Sequence, residues 1–343
     1  MIHYLSQLQE TTRRCWDKPA VCNWHGEQFS FADLAANIAK FGFFFEKIGL
    51  KKGDKVALCA TNSARWAISF LSINCYGTVV VPLLAEFTPE SVGSLVHHSE
   101  SKLLFVNKET WAKMDKTGIP ALKAAICNQD YSLLWSADDA IAEAFAAMDD
   151  DFAAAYPNGL SREDVNYPSD NWKDLAVINY TSGTTSAPKG VMLTYEAFST
   201  SIDFAIRHIP ATDSDSIVSM LPMGHIYGLV FEFLYPLSCG VTVYYLGKAP
   251  SASTLLKAVG EVKPYLIITV PLVMEKVYKS SIKPVLSKWY MKVLTAIPGV
   301  NKVIYNAIVS KLMAAFGGNV QEFIMGGAAL NPDVERVFRK IGL

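Results

Sequence analysis

Leu175-Ala176-Val177-Ile178-Asn179-Tyr180-Thr181-Ser182-Gly183-Thr184-Thr185-Ser186-Ala187-Pro188-Lys189-Gly190-Val191 sets the reading of the whole 343-residue chain. An apolar run, Leu175–Tyr180, has the composition of a buried strand. It opens into a loop carrying hydroxyls at 181, 182, 184, 185 and 186, with Gly183, Gly190 and a single cation, Lys189. Glycines permit left-handed backbone and close approach of a ligand. Hydroxyls and free amides donate to phosphate oxygens, a lysine adds a mobile point charge, and a hydroxyl can also ligate Mg²⁺. The spacing is not that of a Walker A loop, because Pro188 stands five residues after Gly183 and Gly190 follows the lysine. The same residue types also make ordinary polar hairpin turns.

Upstream, strand and helix patterns alternate. Ser30 can cap a helix with Asp33 three residues on, and Phe31, Leu34, Ile38, Phe41 and Phe45 recur at helical spacing before Gly49. Residues 55–59 read as a strand, 64–76 as a helix, 78–82 as a strand and 103–106 as another, with a helix start at Thr88-Pro89. An Ala-rich acidic helix is expected over 137–155. The turn-forming runs Tyr156-Pro157-Asn158-Gly159 and Tyr167-Pro168-Ser169-Asp170 then suggest a boundary. Downstream, 217–221, 241–246, 266–270 and 323–325 are further strand candidates, and a helix starts near Pro332. The pattern predicts an α/β fold of two layered subdomains, 1–165 and 166–343, with parallel sheets.

Composition excludes other classes. Lys+Arg 31 against Asp+Glu 32 leaves a net charge of -1, and 51% of residues are hydrophobic. A disordered chain needs the opposite, and no global field is present to attract nucleic acid. The six cysteines form no C-x-x-C pair, so they read as buried small hydrophobes in a reducing compartment. The N-terminus lacks a signal-peptide pattern, and a cytoplasmic protein is expected. The apolar stretch 229–246 is interrupted by Glu232, Pro236 and Gly240, which favours a buried helix, a stop and a buried strand over a membrane span.

The loop Tyr180–Val191 closely resembles the Y-T-S-G-T-T-G-x-P-K-G-V signature of the acyl-adenylate-forming superfamily, with Ser186 in place of a glycine. Other segments are similar to the same family: Lys52–Ala57, Asn62–Trp66, Gly77–Leu83, Leu221-Pro222-Met223-Gly224-His225-Ile226-Tyr227-Gly228, and Met325-Gly326-Gly327-Ala328-Ala329-Leu330. Val270–Tyr278 resembles the V-P-R-x-x-E-K-x-Y segment of long-chain fatty acyl-CoA synthetases, with Leu272 where arginine is usual.

The resemblance implies ATP-dependent activation of a carboxylic acid through acyl-AMP to acyl-CoA, with Mg²⁺ and with coenzyme A as cosubstrate. Thr181, Ser182, Gly183, Thr184, Thr185, Ser186, Lys189 and Gly190 would form the phosphate site, with Thr184 and Thr185 on the metal side. His225 would donate a hydrogen bond to the substrate carboxylate, sharing the catalytic role with Lys189. Gly326, Gly327 and Ala328 would let adenine lie against backbone. Amino-acid-activating relatives place an aspartate soon after the histidine, whereas Leu229, Val230 and Phe231 stand here with Glu232 as the only acid. A fatty acid is the expected substrate, with an aryl or other acid, or a non-catalytic nucleotide- or acyl-binding role, as alternatives. The family's Y-G-x-T-E segment and C-terminal domain would follow residue 343. On that reading, the chain covers most of the larger N-terminal domain and adenylates poorly alone. Lys276, Lys279, Lys283, Lys288, Lys292 and Lys302 occur with no acid among them, interleaved with apolar residues, as in a basic amphipathic helix that can lie on a membrane.

Overall fold

A computed structural model describes residues 1–181, 189–247 and 251–343. The apolar runs become strands of a seven-stranded sheet. β1 (Pro19–Asn23) and β2 (Gln28–Ser30) belong elsewhere, whereas β3 (Lys55–Cys59), β4 (Val79–Leu83), β5 (Leu103–Val106), β6 (Ala124–Cys127), β7 (Leu133–Ser136), β8 (Leu175–Thr181) and β9 (Lys189–Thr194) build this sheet. Its order is β7-β6-β5-β3-β4-β8-β9. The five central strands run parallel, and β7 and β9 close the edges antiparallel. Every residue of β4, β5 and β6 is buried, as expected of parallel strands covered on both faces.

A second sheet joins β10 (Ser216–Ser219) and β11 (Thr242–Tyr245) to β1 and β2, in the order β10-β11-β1-β2. β12 (Leu266–Thr269) and β13 (Glu322–Met325) pair parallel. Strands from both sides of residue 165 thus enter both larger sheets, so the sheets rather than the halves of the chain are the packing units.

The helix Ala64–Cys75 packs against β1 on one side and β3 and β4 on the other, and all of it except Arg65 is buried. Trp66 stacks on Phe70, and Phe233 meets both rings edge-on. The helix Phe31–Lys47 buries Phe31, Leu34, Ile38, Phe41 and Phe45, as its spacing predicted. Its N-terminus is a reciprocal capping box: Asp33 N donates to Ser30 Oγ at 3.1 Å and Ser30 N to Asp33 Oδ2 at 2.9 Å. Gly49 takes φ +66°, the left-handed geometry that ends a helix.

Two helical expectations change. The acidic segment forms two helices, Asp139–Ala146 and Met148–Ala155, not one. The break keeps the second helix alongside Phe31–Lys47, where Asp149 pairs with Lys40 at 2.7 Å and Asp151 with Lys47 at 2.5 Å. The lysine-rich segment is likewise not one amphipathic helix. It divides into Pro271–Val277, a π-turn Tyr278–Ile282, Lys283–Leu286 and Trp289–Leu294, before Val300–Ala315 begins. Pro284 stands in the first turn of its short helix, and Pro298-Gly299, with Gly299 at φ +88°, ends the run. The stretch 229–246 is π-helix Leu229–Leu234, helix Tyr235–Cys239, a left-handed Gly240 and β11, as its interruptions predicted. Among the described residues no helix is long and apolar enough to cross a membrane.

Candidate active site

Thr181 and Lys189 face each other as the last paired residues of the β8–β9 hairpin. Residues 182–188, which hold the expected phosphate ligands Ser182, Gly183, Thr184, Thr185 and Ser186, lie outside the described residues. Both flanking side chains are exposed at the hairpin mouth. Gly190 has a packing reason: a Cβ there would stand 2.8 Å from Ile178 Cγ2 and 3.4 Å from the Tyr180 ring. Tyr180 in turn meets His98 Nδ1 through its hydroxyl at 2.6 Å.

His225 sits at the start of the helix Ile226–Gly228, in the loop that leaves β10. Its imidazole is exposed, and three side chains, two of them buried, hold the loop that presents it. Asn179, buried on β8, donates from Nδ2 to the Gly224 carbonyl at 2.8 Å. Asn62 clasps the preceding turn, donating to Leu221 O at 2.7 Å and accepting from Met223 N at 3.0 Å. Glu232, fully buried, takes Ser219 Oγ, Met220 N and Leu221 N on its Oε2 at 3.0, 2.9 and 2.8 Å. Burial pushes its pKa up to about 8 despite those three donors. Its Oε2 is therefore committed to the Ser219 hydroxyl and the Met220 and Leu221 amides of this loop. Gly228 lets the loop close, since a Cβ would meet Pro222 O at 2.7 Å.

The expected adenine segment reaches the same place. Gly326 N donates to Thr269 O at 3.2 Å, Gly327 takes φ +80° and Ala328 is exposed. A Cβ on Gly326 would stand within 2.5–2.7 Å of the Tyr227 ring, so the glycine is matched to that tyrosine, two residues after His225. The Tyr227 hydroxyl is buried without a partner among the described residues.

A cleft of about 230 Å³ opens beside the His225 loop. Its walls come from residues just after β3 (Ala60–Asn62), β4 (Leu84–Glu86), β10 (Met220, Pro222, Gly224) and β11 (Leu246, Gly247). Ligands of open α/β sheets occupy this position, outside the carboxyl ends of parallel strands. The AMP-binding enzyme family model matches residues 8–343. The chain belongs to the AMP-binding enzyme family.

Relatives in this family include long chain acyl-CoA synthetase 4 of Arabidopsis thaliana, 26% identical over 94% of this chain and 51% of that protein. The oxalate–CoA ligase of the same plant is 33% identical over 57% of this chain and 35% of its own length. The chain thus spans about half or less of the curated relatives it matches. Among solved structures, the N-terminal domain of FACL13 from Mycobacterium tuberculosis superposes with a TM-score of 0.70. That superposition covers 99% of this chain and 73% of the other at 18% identity, a likeness of fold.

Sequence reasoning named His225, Lys189 and the glycines but gave Asn179, Asn62 and Tyr227 no role. Asn179 carried a signal, an amide in an otherwise apolar strand just before the loop. Glu232 stood out as a lone acid in an apolar run, and its partners could not be read from the chain.

Proposed function

We propose that this chain carries the ATP and carboxylate sites of an AMP-forming acid–thiol ligase acting on a fatty acid. A carboxylate oxygen would attack the α-phosphorus of ATP, the bond to pyrophosphate would break, and acyl-AMP would form. The sulfur of coenzyme A would then attack the acyl carbon, lose its proton and release AMP. The barrier to the first step is charge crowding, so positioning and electrostatic compensation are the protein's task.

One observation carries the reading. The Asn179–Gly224 hydrogen bond ties the strand that feeds the phosphate loop to the loop that presents His225. Lys189 at the hairpin mouth would neutralise phosphate charge, with Thr181 and Gly190 beside it, and His225 would donate to the acid. The exposed hydroxyl of Thr181 and the exposed ammonium of Lys189 suit a phosphate chain, and Mg²⁺ would arrive bound to ATP with Thr184 and Thr185 as hard oxygen ligands. Gly326, Gly327 and Ala328 would border the adenine, with Tyr227 packed behind Gly326. The engagement of Glu232 with its own loop supports an acid without an ammonium group. Six cysteines without a disulfide among them support work in the reducing cytoplasm.

A second reading, a shorter or aryl acid, is favoured by the cleft, whose roughly 230 Å³ lies below the 300–1,000 Å³ usual for small-molecule sites. Because the chain spans about half the length of its relatives, binding rather than turnover discriminates. Non-hydrolysable acyl-sulfamoyl adenosines with hexadecanoyl, benzoyl and oxalyl tails would be titrated by calorimetry. The long aliphatic tail should bind tightest, and Lys189→Ala should weaken Mg·ATP binding at least tenfold. Preference for a short or aromatic tail would overturn the fatty-acid reading, and binding of no adenylate would overturn the whole proposal.

A further inference from the structure

The segment 276–303 is the part of the chain that the proposed chemistry leaves unused, and its surface is unlike the rest. Seven of the eighteen large apolar side chains exposed among the described residues fall between 289 and 303: Trp289, Tyr290, Val293, Leu294, Ile297, Val300 and Val303. Trp289 is 78% exposed, Val303 69% and Val293 57%. Monomeric proteins scatter such residues singly, and seven within fifteen consecutive residues is the concentration of a contact surface.

The charge around this cluster decides the kind of partner. From 276 to 321 the chain has seven lysines and no aspartate or glutamate. None of the seven makes an ion pair within 4.0 Å among the described residues. Elsewhere about half of the described lysines are paired, Lys18, Lys40, Lys47, Lys52, Lys55, Lys102 and Lys108 among them, so seven unpaired lysines in a row without an acid set this segment apart. A second copy of the chain is a poor match, since two carboxylates of its densest acidic run, Asp149 and Asp151, are already engaged by Lys40 and Lys47. Exposed lysines around a tryptophan and aliphatic side chains, on short exposed helices, form the pattern that lies in a lipid interface.

We propose that this surface docks the protein on an anionic bilayer, with Trp289, Val293 and Val303 entering the acyl boundary and Lys288, Lys292 and Lys302 meeting headgroup phosphates. The proposal is independent of which acid the chain activates. Each lysine near an anionic surface contributes roughly fivefold to binding, so neutralising three should cost on the order of a hundredfold. Removing the tryptophan should cost roughly tenfold or more.

The test is co-sedimentation with phosphatidylcholine vesicles and with phosphatidylcholine–phosphatidylglycerol vesicles at 70:30, from 0.05 to 0.5 M salt. The wild-type chain should bind the anionic vesicles alone and release as salt rises. K288Q/K292Q/K302Q should lose about a hundredfold and W289S about tenfold, with thermal unfolding unchanged because these side chains are exposed. Quenching by brominated lipid should fall in W289F, which keeps an aromatic ring. Absence of salt-sensitive binding by the wild type would refute the proposal. So would unaltered binding by the triple variant, or a concentration-dependent dimer abolished by W289S in place of vesicle binding.

Discussion

Replacing Glu232 with glutamine isolates the cost of burying this carboxyl. In the folded protein its pKa is pushed up from 4.5 to about 8 by complete burial. Between those two values the folded chain keeps a proton that the unfolded chain has released. Stability contributed by this group is therefore present in full below about pH 4.5 and is lost as pH rises toward 8. Each unit of pH in that window costs about 1.4 kcal/mol. Glutamine keeps the shape and an oxygen for Ser219, Met220 and Leu221, and it does not titrate. From pH 5.5 to 8.5 the wild type should thus lose about 3 kcal/mol relative to E232Q. Other titrating groups cancel in that difference. Urea unfolding followed by tryptophan fluorescence at five pH values would measure it. At the acid end the variant should be the weaker protein, because its amide hydrogens replace a carboxyl oxygen, Oε1, that has no partner among the described residues. A stability difference that stays flat within 1 kcal/mol across the range would refute the argument.

Other outcomes follow from the same geometry. Asn179→Leu removes the donor to Gly224 O and should cost about 1–3 kcal/mol; if the bond orients His225, acyl-adenylate analogue binding should fall further than Mg·ATP binding in the same titrations. Gly228→Ala forces a methyl to within 2.7 Å of a backbone carbonyl and should lower the melting temperature, whereas Gly42→Ala, with nothing within 4 Å, should hold or raise it by helix propensity worth about 1 kcal/mol. Gly190→Val drives a branched side chain into Ile178 and should destabilise by about 1–3 kcal/mol, read as a shift in urea midpoint. Asp33→Ala opens one half of the capping box and should cost about 1 kcal/mol, with Asp33→Glu restoring part of it.

The central strands were legible because burial on both faces leaves nearly continuous apolar runs: residues 55–59 and 103–106 were placed with their observed bounds. Strands β1, β2, β6, β7 and β9 were not read. β9 carries Lys189-Gly190 and exposed Val191 and Met192, so it lacks a buried stripe, and only its pairing with β8 makes it a strand. β1 is short, starts at a proline and depends on β11. The β8–β9 hairpin and the His225 turn stood out as candidate chemistry because hydroxyls, glycine and histidine contrast with apolar surroundings. The supports were not, because Asn62, Asn179 and Glu232 act on backbone atoms whose positions follow from packing across the sheets.

The pairing of β1 with β11 has a consequence for synthesis. Val21 lies opposite Val243, 222 residues later in the chain. At translation rates of about 5–20 residues per second, the first strand emerges roughly 10–45 seconds before its parallel partner exists. During that interval Ala20, Val21 and Cys22, all fully buried in the finished protein, have β2 as their one strand partner, and only the helices Phe31–Lys47 and Ala64–Cys75 can cover their faces. The nascent chain therefore displays an adhesive edge for most of its passage through the ribosome, and slowing translation after residue 30 would lengthen its exposure to chaperones and to aggregation alike.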